Sequence, residues 1–197
     1  MQLRGGSSKG LYFLASDLPT DNVEREKILL GAMCGVDGSD PRQIDGLGGA
    51  DPLTSKVAIV NPSSRNEVDI DYEFIQVVVG KNKVDRIQNC GNILAGVAPF
   101  AIEAGIITTK SPETRVRVYM VNSDSTCEVI VQTPSGVIKY DGNTHIDGVP
   151  GRASPIGCYY MNIIGSACGE LFPTGNRQDV INGIDVTCID NGMPVVL

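Results

Sequence analysis

"CGNILAGVAPFAIEAG", residues 90–105, is the stretch on which the fold depends. It is long enough to form a helix and is apolar on nearly every side. A helix of that kind must be enclosed by other elements. Pro99 removes one intrahelical hydrogen-bond donor, so the sequence predicts a kink or a break at this residue. We therefore expect a buried central helix.

Strand signals surround this stretch. Runs rich in apolar and β-branched residues, separated by turn residues, occur at 11–15, 55–60, 68–79, 115–122, 127–133, 136–140 and 156–164. Upstream, Asp21 followed by Glu24 is a capping-box pattern, which predicts a helix ending at about Cys34. These elements together predict an α+β protein, with a mixed or antiparallel sheet wrapped around a central apolar helix.

The composition excludes several classes of protein. The 197 residues are 42% hydrophobic, but no apolar run reaches the roughly 18 residues that span a bilayer. We therefore expect no membrane partner and a cytoplasmic location. The net charge of -7 is spread without a basic stripe, so no nucleic-acid partner is predicted. With one histidine and no Cys-x-x-Cys pair, the sequence predicts no metal site, and the six cysteines are expected to be free thiols.

Cys90 is the first candidate for chemistry. It lies where a polar stretch meets the predicted helix, and the free N–H groups of a helix start favour an anion such as a thiolate. Asn89 and Asn92 offer amide donors to a carboxylate, and Gly91 lets a ligand approach the backbone. The alternative is that Cys90 is a small apolar residue packed at a helix start.

Lys56 is the second candidate. It follows the glycine-rich stretch "GLGGADPLTS" at 46–55 and precedes the apolar run 57–60. A lysine held against apolar walls loses its charge more readily and can act as a general base. The alternative is a lysine at a strand edge whose amine extends into water.

A third candidate is the N-terminal loop "RGGSSKG" at residues 4–10. Its glycines and hydroxyls suit an anion-binding nest. The spacing does not fit the pattern of a nucleotide-binding P-loop, so nucleotide binding is not predicted.

Three motifs in this order, "RGGSSKG" at 4–10, "GLGGADPLTSKVAIV" at 46–60 and "QNCGN" at 88–92, resemble those of the PrpF-like isomerases. That family includes 2-methylaconitate cis-trans isomerases, methylitaconate Δ-isomerases and 4-oxalomesaconate tautomerases, with a two-domain, diaminopimelate-epimerase-like fold. The likeness extends to "VPGRASPI" at 149–156 and "CIDNGMPVV" at 188–196.

The resemblance implies roles for particular residues. Lys56 matches the catalytic lysine of the family, and Cys90 matches the cysteine of its Asn-Cys-Gly-Asn motif. The substrate-binding positions that it implies are Gly6, Ser7, Ser8, Lys9, Asn89, Gly91 and Asn92. Ser7 stands where the family usually has threonine, which keeps the hydroxyl. The resemblance also implies a small unsaturated di- or tricarboxylate as substrate and no cofactor.

Family members are nearly twice as long as this chain. The resemblance therefore implies an N-terminal domain over 1–184, with 185–197 starting the crossover into a second domain. A homodimer or that second domain would supply the opposing wall of the site. Two alternatives remain open, namely a two-base epimerase or racemase and a half that binds a carboxylate without turning it over. The substrate acid, the choice between double-bond shift and cis-trans isomerisation, and the identity of the base also remain open.

Overall fold

The computed structural model describes residues 1–36, 38–161 and 163–197. The helices are α1 Asn22–Cys34, α2 Gly91–Leu94 and α3 Val97–Glu103. The strands are β1 Gln2–Gly5, β2 Ser8–Leu14, β3 Lys56–Pro62, β4 Ile70–Val77, β5 Val84–Asp85, β6 Glu113–Met120, β7 Ser125–Gln132, β8 Ile156–Met161, β9 Asp179–Ile181, β10 Ile184–Val186, β11 Cys188–Asp190 and β12 Pro194–Val196.

Strands β1 to β8 form one mixed sheet in the described part of the chain. Its order is β1-β2-β3-β4-β6-β7-β8, with β5 paired to β4. The pairs β2–β3 and β4–β6 are parallel, and the other neighbours are antiparallel. Parallel strands need a crossover connection, which α1 supplies for the first pair and α2–α3 for the second. The strand pairs β9–β10 and β11–β12 lie outside this sheet.

Alternation along the strands divides the core between the two faces of the sheet. In β3, Val57 and Ile59 pack with residues of α1, whereas Ala58 and Val60 pack with α2 and α3. Side chains also alternate along β2, so Leu11 lies on the α1 side of the sheet and Tyr12 lies on the other side. Full burial of each large apolar side chain contributes about 2 kcal/mol to stability.

The central helix is buried as expected, but its break was predicted at the wrong residue. The helical hydrogen-bond pattern is interrupted between α2 and α3, at Ala95 and Gly96, where the Gly96 N–H donates to the Ile93 carbonyl three residues back. Pro99 lies in the first turn of α3, where its missing N–H would have no intrahelical partner in any case. A side chain at Gly96 would place its Cβ 2.3 Å from the Tyr12 hydroxyl. The break therefore lies where the sheet approaches the helix backbone.

Two buried tyrosines tie this helix to the sheet. The Tyr12 hydroxyl, from β2, donates a hydrogen bond of 2.7 Å to the carbonyl of Ile93. The Tyr72 hydroxyl, from β4, donates one of 3.3 Å to the carbonyl of Cys90. Burial raises the pKa of both phenols, and the neighbouring Cys90 thiol raises it further, so both remain protonated donors. These bonds fix the start of α2 against the sheet.

The other predicted elements agree with the structure except at two places. α1 begins after Asp21, whose carboxylate accepts the Glu24 N–H at 2.9 Å, as the capping pattern predicts. Residues 137–140 form no strand, because the 3-10 turn Pro134–Gly136 bends the chain and only the Lys139 N–H returns to the Gln132 carbonyl. β8 ends at Met161, and residue 162 of the predicted strand 156–164 lies outside the described residues. The α+β prediction, with a mixed sheet around an apolar helix, is confirmed.

Asp190 organises the chain beyond the main sheet. Its buried carboxylate accepts the N–H groups of Ala167 and Cys168 at 2.8 Å each and that of Gly192 at 3.2 Å. Burial opposes ionisation, but these three donors outweigh it and hold the pKa of Asp190 below its ordinary value.

No helix of the described residues is long and apolar enough to cross a membrane.

We expect Tyr12→Phe to lower the free energy of unfolding by about 1 kcal/mol, because the buried Ile93 carbonyl loses a hydrogen bond. Tyr119→Phe is the matched control, since the Tyr119 hydroxyl contacts Asp124 at the exposed surface. Its effect should stay within roughly 0.5 kcal/mol. Urea denaturation measures both changes, and equal effects would contradict the role given to Tyr12.

The Asp190 contacts should weaken in acid. Because the pKa of Asp190 is below its ordinary value in the folded protein, the ionised carboxylate stabilises the folded form at pH values above that ordinary value. This stabilisation is lost as the pH falls through the folded-state pKa. Asp190→Asn should therefore remove this pH dependence. Amide hydrogen exchange at Ala167, Cys168 and Gly192, followed by NMR against pH, measures it. Exchange that depends on pH identically in both proteins, after correction for intrinsic rates, would exclude Asp190 as the cause.

Candidate active site

Lys56 and Cys90 meet in the folded chain, although 34 positions separate them. The Lys56 Nζ lies 3.5 Å from the Cys90 Sγ, and 5.3 Å from the centroid of the Phe74 ring. The thiol is buried, with 9% of the residue exposed, whereas Lys56 is half-buried. An amine and a thiol in this arrangement can pass a proton between them or to a bound molecule.

Lys56 takes its place as the first residue of β3. Parallel pairing sets it opposite Gly10 of β2, and antiparallel pairing sets it opposite Gln76 of β4. The Gln76 amide also donates to the carbonyls of Ser55 at 2.9 Å and Pro52 at 3.1 Å. Strands on both sides therefore hold the backbone at Lys56.

Gln43 holds the glycine-rich stretch that leads to Lys56. It is 2% exposed, and its Oε1 accepts the Ala50 N–H at 2.7 Å and the Ser55 hydroxyl at 2.9 Å. Its Nε2 contacts the Cys34 Sγ at 3.4 Å, at the end of α1. One buried amide thus joins α1, the glycine-rich stretch and the residue before Lys56.

The loop "RGGSSKG" is the turn between β1 and β2, and it lies against α2. A Cβ on Gly5 would lie 1.9 Å from the Asn92 carbonyl oxygen, and one on Gly6, where φ is +52°, would lie 2.1 Å from the Asn92 Oδ1. The Asn92 Nδ2 donates to the hydroxyls of Ser7 at 3.1 Å and Ser8 at 3.3 Å. Gly6, Ser7, Ser8 and Asn92 are therefore brought together beside Cys90.

Two of the expected substrate-binding residues lie apart from this cluster. The Asn89 amide donates to the Ser123 hydroxyl at 2.6 Å and contacts the Met120 sulfur at 3.2 Å, which ties it to the β6–β7 turn. Lys9 alternates with Ser8 and Gly10 along β2, so it shares the α1 face of the sheet with Leu11. Gly91, at the start of α2, packs under the Tyr160 ring.

A cavity of about 470 Å³ opens on the other side of the loop. Gly5 and Gly6 line one wall of it, and side chains of 138–156 line another, but neither Lys56 nor Cys90 reaches it. Within the described residues, no group of three or more His, Cys, Asp or Glu side chains is placed to hold a metal ion. The six cysteines are free thiols, as expected.

Sequence reasoning missed Gln43, Tyr12, Tyr72 and Tyr160, all of which contact the site or its supports. Tyr12 and Tyr72 lie in predicted strands, and their place in the alternation could have put them against the central helix. Tyr160 also lies in a predicted strand, whereas Gln43 gave no such signal because it lies outside the predicted helices and strands.

The chain is similar in sequence to known proteins over its whole length. The family model described as PrpF protein matches residues 1–197. The chain is 54% identical to the (4E)-oxalomesaconate Delta-isomerase of Novosphingobium sp. strain KA1, over all of this chain and 54% of that protein. It is 53% identical to the 4-oxalomesaconate tautomerase of Pseudomonas putida KT2440, over 99% of this chain and 53% of the relative.

A solved structure extends the comparison to the fold. The crystal structure of methylitaconate-delta-isomerase superposes with a TM-score of 0.86 at 41% identity, covering 99% of this chain and 51% of that one. This match confirms the fold class expected from the sequence motifs. The chain thus spans about half the length of the relatives that it matches.

We expect Gln43→Ala to destabilise the fold by roughly 2 kcal/mol, because the Ala50 N–H and the Ser55 hydroxyl lose their buried partner. Gln88→Ala, at an exposed position, is the matched control. Urea denaturation gives the stability, and hydrogen exchange at the Ala50 amide should rise only in Gln43→Ala. An Ala50 amide that remains protected in this variant would contradict the contact.

Proposed function

Because the chain belongs to the PrpF protein family, we propose that it is a proton-transfer isomerase acting on an unsaturated di- or tricarboxylate. The observation that carries the proposal is the 3.5 Å contact between the Lys56 amine and the Cys90 thiol. The names of the relatives, which specify oxalomesaconate and methylitaconate, support the substrate class.

The proposed reaction begins with removal of a proton from a carbon next to a carbonyl or carboxylate. Either the neutral Lys56 amine or the Cys90 thiolate takes this proton, and the electron pair spreads over the conjugated system as a dienolate. Return of a proton to a different carbon moves the double bond. Rotation about the central bond before the proton returns would instead exchange cis and trans forms. The same pair of residues serves both reactions.

The N-terminal loop supports binding of a substrate carboxylate beside this pair. Ser8 lies two residues before Gly10, on the same face of β2, and Gly10 pairs with Lys56. The exposed Ser7 hydroxyl adds a donor at the tip of the turn. Asn92 orients both hydroxyls through its amide, so the loop offers preformed donors. In this proposal, Lys9 and Asn89 do not touch the substrate directly and instead support the residues that do.

The rest of the pocket is also part of the proposal. We infer that residues 1–184 form one domain, that 185–197 begin the connection to a second, and that this domain or a partner copy covers the pair. Exposed apolar side chains of β12, including Val195 and Val196, support a further contact surface in this part of the chain. A cytoplasmic location and a homodimer stay predictions.

The contact between Lys56 and Cys90 supports an isomerase, whereas a two-thiol epimerase would need its second thiol from the part of the relatives' length that this chain does not span. Such an epimerase needs a second thiol facing Cys90. Among the described side chains, the hydrogen-bond partner of Cys90 is the Lys56 amine and not another cysteine. The other alternative is a non-catalytic chain that binds a carboxylate without turnover. Experiment distinguishes it from the isomerase, because it would exchange no substrate proton with solvent.

We expect Lys56→Met and Cys90→Ser to lower kcat by roughly 10²-fold or more in the full-length protein, because each removes one partner in the proton transfer. Turnover of 4-oxalomesaconate or methylitaconate is followed by ultraviolet absorbance, and solvent deuterium in the acid by NMR.

Lys27→Met and Cys168→Ser are the matched controls, since both residues are exposed and distant from the pair. They should leave kcat unchanged. Unchanged turnover in Lys56→Met would reject the proposed mechanism. Deuterium at the α-carbon of an amino acid, rather than in an unsaturated acid, would favour the epimerase.

A further inference from the structure

Tyr160 lies over the start of α2, immediately beside Cys90. It is on β8, and antiparallel pairing sets it opposite Cys127, whose side chain packs in the core around the central helix. The Tyr160 ring therefore faces α2. Its hydroxyl lies 2.3 Å from where a Cβ on Gly91 would stand, so a side chain at this position would displace the hydroxyl.

The Tyr160 hydroxyl differs from the hydroxyls of Tyr12 and Tyr72, which also lie against α2. Those of Tyr12 and Tyr72 donate to helix carbonyls and are buried. Among the described residues, the Tyr160 hydroxyl has no hydrogen-bond partner, and 40% of the residue is exposed. A hydroxyl held in place by ring packing but without an acceptor is available to a ligand.

The surroundings of Tyr160 keep its hydroxyl protonated. Burial raises the pKa of this phenol, and the thiols of Cys158, Cys127 and Cys90 raise it further. The group is therefore a donor throughout the neutral range. A neutral donor beside the proton-transfer pair is suited to an oxygen on which negative charge develops.

We propose that Tyr160 is a further catalytic residue, whose hydroxyl donates a hydrogen bond to the substrate carboxylate that gains charge as the dienolate forms. This inference rests on the proposed isomerase function. The proton of Tyr160 stays on its oxygen, and Lys56 and Cys90 carry the transferred proton. The absence of a side chain at Gly91 lets this hydroxyl approach the first turn of α2.

The test compares Tyr160→Phe with Tyr159→Phe in the full-length protein. Tyr159 is the neighbouring residue on the opposite face of β8 and is 59% exposed. We expect Tyr160→Phe to lower kcat for 4-oxalomesaconate about a hundredfold, as loss of one oxyanion donor does, with the melting temperature unchanged. Tyr159→Phe should leave kcat unchanged. Equal kcat values in the wild type and Tyr160→Phe would overturn the inference while the proposed function stands.

A double-mutant cycle separates catalysis from packing. Gly91→Ala displaces the Tyr160 hydroxyl, so it should lower kcat in the wild type but add little to Tyr160→Phe. Additive losses in kcat would show that the two residues act independently, and would overturn the inference.

A binding measurement separates failure of this inference from failure of the proposed function. Tricarballylate, a saturated tricarboxylate that cannot undergo the reaction, is titrated by calorimetry. Tyr160→Phe should weaken its binding about tenfold, whereas Tyr159→Phe should not. If the wild type exchanges no substrate proton, the proposed function fails, and this titration still decides whether Tyr160 is a carboxylate donor. Equal affinities in the three proteins, or no binding to the wild type, overturn that role.

Discussion

Hydrogen bonds from Tyr12 and Tyr72 to the backbone of α2 are the constraint on which the rest of the structure depends. A helix as apolar as α2–α3 offers few polar side chains to orient it, but its buried carbonyls still require donors. The two hydroxyls supply them from neighbouring parts of one sheet. They hold Cys90 in place against the sheet, and Lys56 is the first residue of β3 in the same sheet. The packing of the core therefore sets the 3.5 Å distance between the Lys56 amine and the Cys90 thiol.

The arrangement explains why much of the fold could be predicted from the sequence. The apolar circumference of 90–105 identified the central helix, and the Asp21 cap identified the start of α1. Local signals decide both. The break at Ala95 and Gly96 could not be read locally, because it depends on the Tyr12 hydroxyl approaching from a strand 84 positions away from Gly96. Pro99 offered a local reason for a break, but its place in the first turn of α3 made that reason irrelevant.

The candidate site was predictable to a similar extent. Motif positions pointed to Lys56 and Cys90, and the fold brings them into contact. The loop residues Ser7 and Ser8 lie against Asn92 of α2. Lys9 does not, because alternation along β2 turns its side chain to the other face of the sheet. Gln43 lies outside the predicted helices and strands, and the approach of Tyr160 to Gly91 joins positions 69 apart, so neither composition nor spacing reveals their contacts.

The contact between the N-terminal turn and α2 has a consequence for altering this protein. A larger residue at Gly5 would meet the Asn92 backbone and displace the helix that begins after Cys90, and one at Gly6 would displace the Asn92 side chain. Libraries aimed at new substrates should leave these positions unchanged. The segment 138–156 forms the opposite wall of the neighbouring cavity, which neither Lys56 nor Cys90 lines, so its exposed positions are better placed for variation.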